Sequence, residues 1–259
     1  FLLIIGLAGM ATVLYSRGYL AHYLTKKSSA HISLHYTALA VLVLSMMLVV
    51  IADGSFLFLF AWELMTIASF LLILFDAERA EVLRAALAYL VMMHIGFIFL
   101  VAGFVGIDSI CGNSSFEWLS VCFAEGGNTA IFVLFLIGFG MKAGLFPMHI
   151  WLPEAHPAAP SHISAIMSGV MIKTGVYGIM RLMQAIELLY TIGLIVLLSG
   201  IITGLWGIIL AAMQNDIKRL LAYSSIENIG VILIGLGIAA VGHAAGSGLI
   251  GMCGMCGAL

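Results

Sequence analysis

The chain has 259 residues, of which 63% are hydrophobic and only 8% charged, with a formal net charge of -2. Soluble domains carry charge on roughly a quarter of their residues, so this composition, with a mean hydropathy of +1.21, excludes a soluble globule and defines an integral membrane protein. No basic run offers a footprint for nucleic acid, and the apolar runs have the ~20-residue length of a helix crossing ~30 Å of hydrocarbon, too long for the strands of an outer-membrane barrel. The expected fold is an all-α, polytopic transmembrane helical bundle.

Apolar runs read against turn signals give about eight spans in chain order: 1–15, 34–52, 55–75, 84–107, 128–155 with a break, 161–183, 187–213 and 218–240. No connection is long enough to hold a soluble domain, so residues 1–259 read as a single transmembrane domain. The first run opens at Phe1 without a basic segment before it, which is not the pattern of a signal peptide. With "GSGLIGMCGMCGAL" at the other end, the chain reads as a fragment. Cys111 and Cys122 share one loop, and the CxxC of Cys253 and Cys256 lies among small residues with no second ligand pair, a packing pattern more than a metal or redox motif.

Orientation follows from the basic residues, which cytoplasmic loops retain. Arg17, Lys26 and Lys27 follow span one, Arg79 and Arg84 follow span three, and Lys218 with Arg219 follow span seven; only Arg181 falls on the other side. The 16–33 and 76–84 loops are therefore expected to be cytoplasmic. The 108–127 loop, which carries Asp108, Glu117 and Glu125 but no base, is expected to be external.

Three charges stand inside apolar runs: Glu63 in "FLFLFAWELMTIASF", Lys142 in "IFVLFLIGFGMKAG" and Lys173 in "SGVMIKTGVYGIM". A charge at mid-helix costs ~2.5–3.5 kcal/mol on insertion scales and normally faces the bundle interior with a function to perform. A buried Glu63–Lys142 ion pair would account for two of them as packing. The second lysine has no dedicated carboxylate, which favours a relay whose members change protonation state. Glu227 in "AYSSIENIGVIL", beside Asn228, is either a further relay member or a helix-end glutamate paired with Lys218 or Arg219. His94 in "YLVMMHIGFIFL" is either a proton shuttle or simply a hydrogen-bonded side chain.

All four prolines lie in "GMKAGLFPMHIWLPEAHPAAPSH", residues 140–162. Pro147 lacks an N–H and clashes with the carbonyl of Ala143, so the helix through Lys142 must break there, and a break at membrane depth is tolerated where it lines protein or water. Pro153, Pro157 and Pro160 shape the turn that follows, with Ser161 expected as the N-cap of the next helix. The 7- and 6-residue spacings of His149, His156 and His162 do not match a zinc pattern. No metal or redox cofactor is expected.

Three motifs carry a resemblance: "WEL" with Glu63, "MKAGLFPMHIWLPEAHPAAPSHISAIMSGVMIKTGVYGIMRL" with both lysines, and "DIKRLLAYSSIENIG". Through them the sequence resembles the antiporter-like membrane subunits of respiratory complex I, Mrp cation/proton antiporters and membrane-bound hydrogenases, and is most similar to the large antiporter-like subunits of hydrogenase-4 and formate hydrogenlyase complexes. The resemblance implies two inverted five-helix repeats, each with one broken helix. Residues 34–183 would be the first and 187–259 the start of the second, whose own broken helix is absent. It implies that Glu63 pairs with Lys142, that Lys173 is the connecting lysine, and that Glu227 is a better relay candidate than a histidine at the Asn228 position.

The function expected is a proton-translocating subunit of an energy-converting redox complex in a prokaryotic inner membrane, with other membrane subunits and the lipid bilayer as partners. A Na+/H+ antiporter subunit and a truncated structural piece of a membrane arm are the alternatives.

Overall fold

The computed structural model describes residues 1–125, 129–185 and 190–258, and every regular element among them is helical. The first helices are α1 (Leu2–Ala21), α2 (Ser29–Ile51), α3 (Ser55–Ile73, continued by a 3-10 turn Leu74–Asp76) and α4 (Ala80–Cys111). A short α5 (Leu119–Glu125) precedes α6 (Thr129–Ala143), which is followed by a 3-10 turn (Met148–Trp151) and α7 (Leu152–Ala158). Next come α8 (Ser161–Ile166), a π-turn (Met167–Met171) and α9 (Ile172–Ala185), then α10 (Tyr190–Ala212), α11 (Ile217–Ala244) and α12 (Gly248–Ala258). Taken as continuous units, these supply eight helices long and apolar enough to cross a membrane, as the sequence predicts.

Most of the spans are longer than their apolar cores. α1 runs six residues past the expected Tyr15, because a long basic side chain such as Arg17 can keep its stem in the apolar layer while its head reaches water. α4 continues through Asp108 to Cys111, into what reads as a loop, and stops at Gly112, whose φ of 64° ends the helix in the left-handed conformation. The remainder of that loop is closed by a Cys111–Cys122 disulfide and carries α5. The last two residues of the expected 108–127 loop, and the first residues of the span expected from 187, lie outside the described residues.

Contacts between turns sort the two ends of the bundle. At one end Lys27 reaches Asp76 and Glu78 across from the next connection, and Arg219 pairs with Glu154. Lys218 Nζ donates to the carbonyls of Pro157 and Ala159. At the other end Arg181 lies over the Phe116 ring and bonds to the Ala52 carbonyl, while Phe116 N–H donates to Asp53 O.

Helices in lipid gain little from burying apolar area against one another, so small residues that permit close approach decide the packing. α10 and α11 meet at Gly204 and Gly230, where a side chain on Gly230 would run into the Gly204 backbone. The interior around the middle spans is aromatic: Phe58, Trp62 and Phe139 pack with centroids 5.4 to 5.9 Å apart, and Tyr89 packs on Trp151 at 5.1 Å.

Candidate functional site

α6 ends at Ala143, the residue whose carbonyl Pro147 would strike. Gly144, with φ 79°, reverses the chain, and the N–H groups of Gly144 and Leu145 both donate to Gly140 O at 2.8 and 2.9 Å, a glycine-closed helix end. The carbonyl of Met141 is satisfied by the Trp151 indole N–H at 2.8 Å, and Phe146 N–H donates to Thr203 Oγ1 on α10 at 3.2 Å. The break expected from sequence is therefore closed largely by protein groups.

One residue before that end, Lys142 is 1% exposed. Its Nζ donates to Thr66 Oγ1 on α3 at 3.0 Å and to Tyr89 Oη on α4 at 3.4 Å, and stands 5.6 and 5.8 Å from the Trp62 and Tyr89 ring centroids. The bond directions can be traced. Thr66 donates to Trp62 O, and Ser69 Oγ donates to Met65 O, so the Tyr89 hydroxyl is left to donate to Ser69 and to accept from Lys142. Two chains of hydroxyls thus lead away from the ammonium, and both end on α3 carbonyls. Its third N–H has no acceptor among the described residues.

Glu63 lies one turn before Thr66 on the same helix, yet it makes no ion pair with Lys142 among the described residues; its partner is His94. His94 Nε2 is 2.9 Å from Glu63 Oε1, within ion-pair distance but outside hydrogen-bond alignment, and both carboxylate oxygens are buried without a hydrogen bond. His94 Nδ1 faces Leu90 O at 2.9 Å; a carbonyl only accepts, so Nδ1 carries a hydrogen. A neutral imidazole would then turn its Nε2 lone pair toward a carboxylate oxygen, which is repulsive.

Lys173 follows the π-turn, and its Nζ donates to Ser168 O at 2.7 Å. The wider turn shifts the backbone ladder and frees that carbonyl, a feature that recurs where helices carry function. Ser168 Oγ meets Ser225 Oγ of α11 at 2.6 Å, so the lysine's turn is joined to the helix that carries Glu227. Glu227 itself is half-buried against Gly207 of α10 and pairs with neither Lys218 nor Arg219, whose partners are the 157 and 159 carbonyls and Glu154. Asn228 is exposed and donates to Ser224 O.

One local expectation is corrected. Ser161 is the first helical residue of α8 and not its N-cap; Pro160 holds that place without a side-chain bond, since the extended backbone of proline already sets up the helix start. His149, His156 and His162 do not converge: His149 stacks on Phe146, His156 Nδ1 meets Ser164 Oγ at 2.8 Å, and His162 Nε2 meets His35 Nε2 at 2.8 Å. Among the described residues no three potential ligands gather. The participants that sequence reading missed are Thr66, Ser69, Tyr89, Ser168 and Ser225. The only signal for them was a hydroxyl at i+3 from Glu63 and a tyrosine inside an apolar run.

A buried lysine at a broken helix and a half-buried one after a π-turn, with a carboxylate and an imidazole paired on the neighbouring spans, place the charges of this helical membrane protein inside the bundle. The chain belongs to the NADH:quinone oxidoreductase/Mrp antiporter transmembrane family, whose profile matches residues 52–253. It is 36% identical to Hydrogenase-4 component B of Escherichia coli (strain K12), over 99% of this chain and 38% of that protein. It is 36% identical to a Na(+)/H(+) antiporter protein of Alkalihalophilus pseudofirmus, over 70% of this chain and 38% of that one. In the structure of the membrane-bound sulfane sulfur reductase, an archaeal respiratory membrane complex, a chain 34% identical superposes with a TM-score of 0.77, covering 100% of this chain and 44% of its own length. A chain of the Mrp complex from Dietzia sp. DQ12-45-1b superposes at 0.72 with 26% identity, over 81% and 24%. The chain spans about two fifths of the length of the two curated relatives named.

Proposed function

We propose that this chain is the proton-conducting part of a membrane subunit in an energy-converting oxidoreductase complex of the hydrogenase type, working beside other membrane subunits in a prokaryotic inner membrane. The observation that carries the reading is Lys142: an amine buried at mid-span, held by hydroxyls from two other helices, on a span next to the Glu63–His94 pair. Such a lysine takes or releases a proton according to the charge on its neighbours. Lys173, tied through Ser168 to Ser225, is the bridge toward α11, and Glu227 is the step beyond it. Residues 34–183 act as the first repeat and 187–259 as the beginning of the second. The turns bearing Lys27, Arg79 and Lys218 face the cytoplasm; the Cys111–Cys122 disulfide supports placing the 108–127 loop outside, where thiols oxidise.

The test is proton flux in vesicles containing the full-length protein with its partner subunits. Lys142→Ala is expected to abolish coupled proton movement with assembly intact, and normal pumping by that variant would remove the proposal. Similarity to a Na(+)/H(+) antiporter protein favours Na+/H+ exchange as the second reading. Sodium-dependent flux without any electron donor would select it. Flux unchanged when Glu63 and Lys142 are both neutralised would leave only a structural role.

A further inference from the structure

His35 on α2 and His162 at the start of α8 are 4% and 2% exposed, lie 127 residues apart in sequence, and face each other Nε2 to Nε2 at 2.8 Å. Two ring nitrogens at that distance require one hydrogen between them: one Nε2 donates and the other accepts. In the neutral pair the accepting ring carries its own hydrogen on Nδ1, while the donating ring has a bare Nδ1. Both Nδ1 atoms are buried and have no protein partner. The pair therefore ends in one unsatisfied donor and one unsatisfied acceptor.

Burying polar atoms in this way is costly unless water reaches them. His162 lines an open cavity of about 450 Å³ between α1 and α8, whose other walls are Ala11, Thr12, Tyr15, Ser161 and Ala165. Three of those five bear hydroxyls, and the volume accommodates several waters at roughly 30 Å³ each. A proton added to the bare Nδ1 leaves the N–H···N bridge in place and makes it charge-assisted. Moving the bridging hydrogen across then frees the Nδ1 hydrogen at the opposite ring. Proton count and charge balance: cavity water gives one proton to the His162 Nδ1, the bridging hydrogen passes to His35, and the His35 Nδ1 hydrogen is given up to a water molecule at that atom; both rings end neutral, and the bridge is reset when they return to their starting tautomers.

We propose that His162 and His35 form a two-imidazole proton relay loaded from water in the cavity between α1 and α8. It rests on the proton-conducting reading above and adds to that reading an uptake site away from Lys142. The surroundings leave the rings free to act. Tyr19 of α1 and Phe75 pack against them edge-on, and His31, one turn earlier on α2, is engaged by Phe75 O at 3.1 Å. Tyr36 lies beside His35 and is met by Ser16 Oγ at 3.4 Å. Asp76 and Glu78, in the turn that carries Phe75, are held by Lys27.

The full-length protein, labelled with 15N-histidine and held in lipid bilayers, should show a scalar coupling between two imidazole nitrogens across the bridge. That coupling should persist while one proton is taken up, disappear in His35→Gln and in His162→Gln, and survive in Lys142→Ala. Survival in Lys142→Ala separates this site from the Lys142 pathway. With Cys253 and Cys256 replaced by alanine, Ala165→Cys should react with a charged, membrane-impermeant maleimide. His162→Gln should slow vesicle proton flux by up to about 10²-fold with assembly intact. Absence of the coupling in folded protein, labelling by membrane-permeant reagents alone, or unchanged flux in His162→Gln would each overturn the relay. Loss of flux in none of the variants, with the coupling present, would overturn proton conduction itself.

Discussion

Lys142 and Lys173 each stand beside an interruption in their own helix, and the two interruptions treat the ammonium differently. At Lys142 the helix stops altogether, and the side chain reaches across 76 and 53 residues of sequence to hydroxyls on α3 and α4. At Lys173 the helix only widens into a π-turn, and the side chain folds back onto a carbonyl five residues earlier. A full break opens the bundle sideways, so the first lysine becomes the meeting point of three helices. A π-turn frees one carbonyl within the same helix, so the second lysine keeps a local partner that it can leave without disturbing its neighbours. On the proposed function, switching falls to Lys142 and hand-over to Lys173.

The sharpest way to break that comparison is to remove the first ammonium while keeping its volume. Lys142→Met should eliminate coupled proton flux, a loss of about 10² or more for a positioned proton donor. Unfolding stability should change by only ~1 kcal/mol, because exchanging a buried charge for an apolar side chain is often neutral, and Thr66 and Ser69 keep their bonds to Trp62 O and Met65 O. Flux and thermal unfolding measured on the same preparation decide it. A large stability loss with residual flux would make Lys142 a packing residue.

Lys173→Met should act less severely. Only Ser168 O loses a partner, at about 1 kcal/mol, and flux should fall by roughly tenfold, since the carriers on either side remain. If Lys173→Met matched Lys142→Met in effect, the distinction between switching and hand-over would collapse.

How far these roles were legible beforehand depends on what each residue's signal was. Eight spans, the break at Pro147 and the depth of the three charges follow from run length and from the missing proline N–H, both of which are local properties of the chain. The partners of those charges are not local. Glu63 reads as Lys142's partner because it is the only acid at similar depth, but side-chain direction on α3 and α4 joins it to His94 instead. Thr66, Ser69 and Tyr89 carry no charge and no spacing motif, so nothing along the chain separates them from other hydroxyls that satisfy a helix carbonyl. His35 is invisible for the same reason: its meaning lies in His162, 127 residues away. Helix ends were misjudged where a polar residue stays inside the helix, as Asp108 does in α4.

Tyr89→Phe sharpens the Lys142 side alone. It removes one hydroxyl from the ammonium and from Ser69 and leaves Thr66 in place, so stability should fall by ~1 kcal/mol. Flux should drop by less than in either lysine variant. Full retention of flux would confine Lys142's working contacts to Thr66.

The smallest effect is expected at the third well-contacted lysine, Lys27, which lies outside the spans and pairs with an exposed carboxylate, Glu78, in place of hydroxyls or a carbonyl inside the bundle. Its Nζ donates to Glu78 at 2.8 Å and approaches Asp76 at 3.6 Å. The hydrogen bond from Lys27 holds the Glu78 carboxyl below its ordinary range, and the same bond raises the Lys27 ammonium above its own. A carboxyl lowered in the folded state contributes stability above its unfolded pKa and loses it as pH falls through the folded value. An ammonium raised in the folded state contributes below its unfolded pKa and loses that as pH rises through the folded value. The tie is thus complete between the carboxylate and lysine ranges and fails first on the acid side, with salt weakening it throughout because Glu78 is exposed. Hydrogen exchange at the Lys26 and Lys27 amides, which donate to Tyr23 O, reads the turn directly. Glu78→Gln should speed exchange slightly at neutral pH and low salt, and the difference from the wild type should vanish at pH values below the carboxylate range. A difference that persisted there would mean that the turn is held by backbone and packing, and that the ion pair at Lys27 adds nothing to it.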